Sequence, residues 1–208
     1  MGGISNEALR ESLDALAARE PAIAAALVHA GYPPPRVNER GYATLLRTII
    51  GQQVSIASAR AIWGKLEGVL GEAADPAIMA QASDETLRSA GLSRQKIGYA
   101  RSLAEEVVSG RLDLEKLPEE DEDAIEQLVR IRGIGRWSAE IYLLFAEGRR
   151  DIWPAGDLAV QIAIGRMLGL PDKPTERQLR QLAEPWSPHR GPLAIFAWQY
   201  YASPRAPL

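Results

Sequence analysis

The chain has 208 residues, of which 46% are hydrophobic and 25% charged, as in an ordinary globular protein. It has no cysteine, which excludes disulfides, thiolate zinc sites and cysteine-ligated iron–sulfur clusters, and its two histidines are too few for a histidine-rich metal site. The net charge of −3 argues weakly against a nucleic-acid partner. No apolar run approaches the ~18–20 residues of a membrane helix, and the N-terminus lacks signal-peptide features, so we expect a cytoplasmic protein with no membrane partner.

The residues predict a succession of α-helices. Residues 6–31 carry apolar side chains at helical spacing with a break at Pro21, and a second apolar segment follows at 41–50. The polar stretch GQQVS at 51–55 interrupts this second segment. Serines that can cap a helix N-terminus then precede three further predicted helices: Ser55, Ser83 and Ser93.

The second half of the chain continues the helical pattern. The acids of Glu119–Asp123 fit the first turn of a helix, where the helix dipole favours negative charge. Four more segments with helical spacing begin near 136, 157, 175 and 191. Because no alternating strand pattern with paired turn signals occurs, we predict an all-α protein.

Two glycines lie one residue apart between two of these helices. Gly133 and Gly135 permit a tight turn, and Ile134 between them can fill the space between the helices. The next helix begins near Arg136, and the free N–H groups of its first turn would face outward and bind a phosphate oxygen. A simple turn between helices with a glycine C-cap is the alternative that these residues leave open.

Several motifs in this order resemble the helix-hairpin-helix–GPD DNA glycosylases. They are LLRTIIGQQVSIASARAI at 45–62, GLSRQKIGYARSLAEEV at 91–107, LVRIRGIGRWSAEIYLLFA at 128–146 and DIWPAGDLAVQIAIGRML at 151–168. The resemblance runs from about Tyr42 to Tyr200 and is closest to the alkylation-repair branch, the 3-methyladenine DNA glycosylase II type. We expect the compact form, because the chain leaves no room for the mixed α/β domain that longer bacterial members carry at their N-terminus.

The resemblance implies a fold and a partner. The fold would be all-α and two-lobed, with the active site in the cleft between the lobes. One lobe would span about 44–147, and the other would combine 1–43 with 148–208. The protein would act as a monomer on double-stranded DNA that contains alkylated bases, in the cytoplasm of a bacterial-type cell and in association with the nucleoid.

Asp157 precedes a predicted helix and follows Pro154 and Gly156. The residue type and position indicate a helix N-cap, where backbone N–H groups and the helix dipole keep a carboxylate ionised. The resemblance implies that Asp157 is the catalytic carboxylate, which stabilises the oxocarbenium-like sugar formed as the glycosidic bond breaks. The two roles are compatible, because a cap fixes where the carboxylate points. Asp151 is the second candidate.

Aromatic residues are the candidates for the base pocket. Trp137 stands where bifunctional relatives carry the lysine that attacks the sugar as a Schiff-base nucleophile, so the resemblance implies a monofunctional hydrolase without lyase activity or a catalytic cofactor. Trp137 and Trp198 would attract cationic N-alkylated purines, with core packing as the alternative for both. Ile141 replaces a pocket tyrosine of the family, and its neighbour Tyr142 is the further pocket candidate.

The remaining candidates would contact DNA. By the resemblance, the loop at 51–55 enters the duplex beside the flipped nucleotide, where Gln53 fills the gap in the stack and Gln52 supports it. A polar helix break at the surface is the alternative. Five hairpin residues would bind a phosphate: Gly133, Ile134, Gly135, Arg136 and Ser138. Three backbone carbonyls would hold a structural Na⁺ or K⁺: those of Val129, Ile131 and Ile134. Two further cations either contact phosphates or are solvated: Arg94 and Lys96.

Three functions remain open at this point. The first is a monofunctional glycosylase that releases alkylated purines of the 3-methyladenine or 7-methylguanine type after base flipping. The second is a non-catalytic DNA-binding module that kept the hairpin, against which the joint presence of Asp157, Trp137 and Trp198 argues. The third is a glycosylase for a neutral damaged or mismatched base, for which we identify no group that assists the leaving base.

Overall fold

The structure, a computed structural model, describes residues 3–204, and within them the chain forms twelve α-helices and no β-strand. The all-α prediction is therefore confirmed. The helices are α1 (Asn6–Ala17), α2 (Pro21–Ala30), α3 (Tyr42–Gly51), α4 (Ile56–Leu70), α5 (Pro76–Gln81), α6 (Asp84–Ser89), α7 (Arg94–Val108), α8 (Asp121–Val129), α9 (Arg136–Tyr142), α10 (Leu158–Met167), α11 (Glu176–Leu182) and α12 (Arg190–Ala202). One π-helical turn continues α9 over Leu143–Glu147, and a 3-10 turn spans Glu184–Trp186. No helix of the described residues is long and apolar enough to cross a membrane.

The helices begin where local side-chain chemistry predicts. The hydroxyls of Ser55, Ser83 and Ser93 each accept the N–H of the residue three positions later, which confirms the three predicted caps. Asp121–Asp123 form the acidic first turn of α8, whereas Glu119 and Glu120, predicted to share this turn, precede the helix. These ends need only neighbouring residues, which is why they can be read from the sequence.

The chain divides into two compact units. One spans Glu39–Tyr142, and the other combines the residues up to Asn38 with those from Leu143 onwards. The predicted lobes have slightly later boundaries, at 44 and 147, and the ends of the second lobe, 1–2 and 205–208, lie outside the described residues. The predicted cleft for the active site stays a prediction.

In the unit Glu39–Tyr142, α3 packs against α4, α7 and α9. The fully buried side chains of this unit include Leu45, Ile49 and Leu103. Apolar residues three or four positions apart on α3 form one face, and their burial is the main stabilising contribution to this unit. The loop 51–55 and the hairpin 130–135 are both carried by this core.

The second unit joins the two ends of the chain around α10 and α12. These two helices pack against each other, and α1 and α2 both contact α12. Leu9, Ile164 and Phe196 are among its buried side chains. This packing fixes α10, whose N-terminus carries Asp157.

Candidate functional site

The two glycines of the hairpin have different structural roles. Gly133 adopts φ +90°, and a Cβ atom placed there would overlap the Tyr99 ring. Gly135 has no such φ, and a Cβ atom there would meet nothing within 4 Å. Ile134 between them is 3% exposed and therefore belongs to the core, as predicted. The turn conformation thus requires Gly133, whereas the small size of Gly135 leaves open space beside the N-terminus of α9.

Arg136 and Ser138, both predicted to contact DNA, have other surroundings in this structure. The Arg136 guanidinium donates to both carboxylate oxygens of Glu122 on α8, and its Nε donates to Glu140 at 3.0 Å. The Ser138 side chain is 7% exposed. A phosphate at Arg136 would have to compete with two carboxylates, and Ser138 is buried. Both DNA contacts stay predictions.

The loop 51–55, which we call the QQ loop, is connected to the hairpin by a long-range hydrogen bond. The Gln52 side-chain amide donates to the Gly133 carbonyl at 2.7 Å. Gln53 is exposed and has φ +55°, the only positive φ of a non-glycine residue in 3–204. Gln52 therefore faces the protein, while Gln53 is presented to solvent in a conformation that is costly for a residue with a Cβ atom.

Lys96 and Arg94, whose roles the sequence leaves open, differ in burial and in hydrogen bonding. The Lys96 ammonium donates to the Ile50 carbonyl at 2.6 Å, and burial lowers its pKa from the ordinary lysine value. Arg94 is exposed. Lys96 thus has an internal partner at the C-terminal end of α3.

Asp157 caps α10, as predicted from the sequence. Its carboxylate accepts the N–H of Val160 at 3.0 Å, and its own backbone remains extended. The turn before it is held from within α10, because the buried Gln161 amide donates to the Ala155 carbonyl at 2.8 Å. Lys173 in turn donates to the Gln161 side chain at 3.1 Å. The carboxylate therefore stands on a turn that two further side chains fix.

Gln161 was not among the site residues predicted from the sequence. The available signal was its polar side chain within the otherwise apolar stretch LAVQIAIG, four residues after Asp157. A buried polar residue at that position needs a hydrogen-bond partner, and the carbonyl of the preceding turn supplies it.

Asp151, the second candidate for the catalytic carboxylate, is part of an ion pair. Its two oxygens accept hydrogen bonds from the Arg190 guanidinium at 2.8 and 2.6 Å, and the Ser187 hydroxyl donates at 2.8 Å. Burial raises the pKa of Asp151, but the hydrogen bonds from Arg190 and Ser187 outweigh this effect and leave the pKa below its ordinary value. These contacts favour a structural role for Asp151.

The aromatic candidates are placed in three different ways. The Trp137 side chain is 47% exposed, unlike Trp153 and Trp186, which pack edge-to-face in the core at 4% and 3% exposure. Tyr142 is 3% exposed, and its hydroxyl accepts the Gly41 N–H at 2.9 Å. Core packing therefore does not account for Trp137, whereas the Tyr142 hydroxyl helps to hold the start of α3.

Trp198 forms an aromatic cluster with Phe145. The ring centres are 5.5 Å apart, and the Arg36 guanidinium lies 5.9 Å from the centre of the Trp198 ring. Arg36 was not among the sequence candidates, since its segment has no helical pattern. A cationic base that used this face of Trp198 would have to displace the Arg36 side chain.

The predicted cation site consists of backbone carbonyls at the hairpin. Ile131 accepts the Ile134 N–H at 3.0 Å, whereas no hydrogen bond within 3–204 reaches the carbonyls of Val129 or Ile134. Backbone carbonyl oxygens can replace the hydration shell of a monovalent cation, and the cation site stays a prediction. Among the described residues, no three histidine or carboxylate side chains lie close enough to hold a metal ion.

Comparison with known proteins identifies relatives by sequence and by structure. DNA-3-methyladenine glycosylase 1 of Schizosaccharomyces pombe is 31% identical over 174 residues, which make up 81% of this chain and 76% of that protein. A solved DNA-3-methyladenine glycosidase from Bacillus halodurans is 31% identical with a TM-score of 0.83, over 92% of this chain and 89% of that one. A Schizosaccharomyces pombe 3-methyladenine DNA glycosylase, solved in complex with abasic DNA, is 28% identical with a TM-score of 0.76, over 90% of this chain and 95% of that one.

A protein-family model gives the same assignment. The model described as HhH-GPD superfamily base excision DNA repair protein matches residues 46–188, a span that includes the QQ loop, the hairpin and Asp157. With this match over most of its length, the chain belongs to the HhH-GPD superfamily of base excision DNA repair proteins.

Proposed function

We propose that the chain is a monofunctional DNA glycosylase that releases alkylated purines of the 3-methyladenine or 7-methylguanine type from double-stranded DNA. The observation that carries this proposal is the placement of Asp157, a carboxylate held at the N-terminus of α10 by the Val160 N–H. The names of the relatives support the substrate class, and the relative in complex with abasic DNA supports DNA as the partner.

The reaction needs little assistance for the leaving base. An N-alkylated purine carries a positive charge, so it takes the electron pair of the N-glycosidic bond and departs as a neutral base. The sugar is left as an oxocarbenium-like species, and the Asp157 carboxylate stabilises its charge. Water then adds to C1′ and loses a proton, which gives an abasic site in an intact strand.

Trp137 supports the absence of lyase activity. A lyase of this family uses an amine at this position to form a Schiff base with the sugar. Trp137 has no amine, and its partly exposed ring is suited to stacking on a base. We therefore assign strand cleavage no part in the reaction and give Trp137 the role of a base-pocket residue, together with Trp198.

The unit Glu39–Tyr142 would provide the contacts to DNA. The hairpin around Gly133–Gly135 would bind a phosphate, with a Na⁺ or K⁺ on the carbonyls of Val129, Ile131 and Ile134, and Gln53 would enter the duplex. Unstacking a nucleotide costs a few kcal/mol, and a side chain that fills the gap lowers this cost. The protein would act as a monomer in the cytoplasm.

The test is base release from a duplex with a single 7-methylguanine, followed by chromatography of the free base. We expect release that a chelator does not inhibit, a strand that breaks only after alkali, and no adduct after borohydride treatment. The unmethylated duplex is the matched control. A trapped adduct would overturn the monofunctional assignment. DNA binding without release from duplexes that carry methylated, deaminated or mismatched bases would favour the non-catalytic module.

A further inference from the structure

The C-terminal end of α3 is stabilised by a side chain from another helix. The last four carbonyls of an α-helix have no partner within the helix, and the Ile50 carbonyl is one of them. The Lys96 ammonium, on α7, donates to it at 2.6 Å. A cation at a helix C-terminus is also favoured by the helix dipole. Lys96 therefore fixes the residue immediately before the QQ loop.

A second hydrogen bond stabilises the QQ loop itself. The Gln52 amide donates to the Gly133 carbonyl at 2.7 Å, so the loop is bonded directly to the hairpin. Gln53 follows with φ +55°, a conformation that persists only where its surroundings hold it. Lys96 on one side and Gln52 on the other supply such surroundings.

We infer that Lys96 and Gln52 are positioning residues, which hold the QQ loop so that Gln53 reaches the duplex in fixed register with the hairpin. The inference rests on the proposed function, since it assumes that Gln53 enters DNA. Lys96 then contributes to base flipping, although its own amine stays on the Ile50 carbonyl and contacts no phosphate.

Lys96→Met tests this role, because methionine keeps the length of the side chain and removes the donor. We expect single-turnover excision to fall about 10-fold, since a displacement of about 1 Å at a reacting centre costs up to 100-fold. The salt dependence of DNA affinity should not change, because no phosphate contact is lost. Lys96→Arg retains a donor of sufficient reach and should restore most of the rate.

Lys116→Met is the matched control. It makes the same substitution at an exposed lysine of the same unit, which we assign no role in the site. We expect it to leave the excision rate unchanged. A salt slope that falls by about one in Lys96→Met would mean that Lys96 contacts a phosphate, and would overturn the inference.

A double-mutant cycle shows whether Lys96 acts through Gln53. Gln53→Ala removes the side chain that would fill the gap, so Lys96→Met should have little further effect in that background. Gln52→Glu, which replaces the donating amide, should slow excision as Lys96→Met does. In the Gln53→Ala background, it should also cause little further loss of rate. Additive losses would overturn the inference, because they would show general damage to the structure.

Base flipping can be followed independently of excision. A 2-aminopurine next to the lesion brightens when the neighbouring base leaves the stack, and Lys96→Met should reduce this signal at saturating protein. Circular dichroism and thermal unfolding of each variant show whether it is folded. An undiminished flipping signal in folded Lys96→Met would overturn the inference, whereas a wild type that flips DNA but releases no base would refute only the proposed function.

Discussion

Gly133 and Gly135 stand two residues apart in the hairpin, yet the backbone makes different demands on them. Gly133 has φ +90° and lies against the Tyr99 ring, so a side chain there is excluded by conformation and by space. Gly135 satisfies neither condition. The sequence predicted the same role for both, because residue type alone does not show which glycine adopts the left-handed conformation.

Because of this difference, substitutions at the two glycines should affect either folding stability or DNA binding. Gly133→Ala should destabilise the protein by roughly 1–3 kcal/mol, because alanine must adopt a strained φ and displace Tyr99. Gly135→Ala should leave stability nearly unchanged but weaken DNA binding, because the added methyl group occupies the space where a phosphate would approach. Urea unfolding and fluorescence anisotropy with a duplex measure the two effects. Wild-type DNA affinity in Gly135→Ala would count against a phosphate contact at this turn.

Other residues also show the limit of sequence reasoning at this scale. The caps at Ser55, Ser83 and Ser93 depend on the next three residues only, and all were predicted correctly. The burial of Ser138 and Tyr142 depends instead on which face of α9 turns toward α3 and α8. A helix of seven residues has too few turns for the apolar pattern to define that face.

Long-range polar contacts join the elements of each unit. Gln52 and Gly133 are 81 residues apart, and Asp151 and Arg190 are 39 apart. No local sequence pattern links such pairs. These contacts therefore could not be predicted, although the sequence contains every residue that forms them. The Asp151 ion pair connects the loop after the π-helical turn with the first residue of α12. These contacts favour a role in holding the two elements together, whereas the sequence made Asp151 the second candidate for the catalytic carboxylate.

The Asp151 pair makes stability depend on pH. The pKa of Asp151 lies below its ordinary value in the folded protein, so the carboxylate stabilises the fold above the unfolded pKa of 3.8, and this contribution is lost as the pH falls through the folded pKa. Asp151→Asn should therefore cost about 1–3 kcal/mol at pH 7, and the difference from wild type should shrink below pH ~4. Urea unfolding from pH 7 to pH 3 tests this, with the exposed Asp172→Asn as control. Equal stability of Asp151→Asn and wild type at pH 7 would contradict the structural role.

At the scale of the whole molecule, the proposed residues are divided between the two units. The hairpin, the QQ loop and Trp137 belong to Glu39–Tyr142, whereas Asp157 and Trp198 belong to the unit built from both ends of the chain. Neither unit alone contains the full set. The net charge of −3 is compatible with DNA binding, because α8 concentrates acid in its first turn and phosphate contacts need only a local surface.

The proposed function requires that the Asp157 carboxylate acts in catalysis in addition to capping α10. Asp157→Asn separates the two roles, because asparagine caps helices about as well as aspartate but carries no charge. The measurement is the single-turnover release of 7-methylguanine by wild type and Asp157→Asn, with DNA affinity and thermal stability determined alongside. We predict a loss of roughly 100-fold or more in release, with the fold retained and DNA binding unchanged or tighter. Equal release by the two proteins would show that Asp157 only caps its helix and would refute its catalytic role.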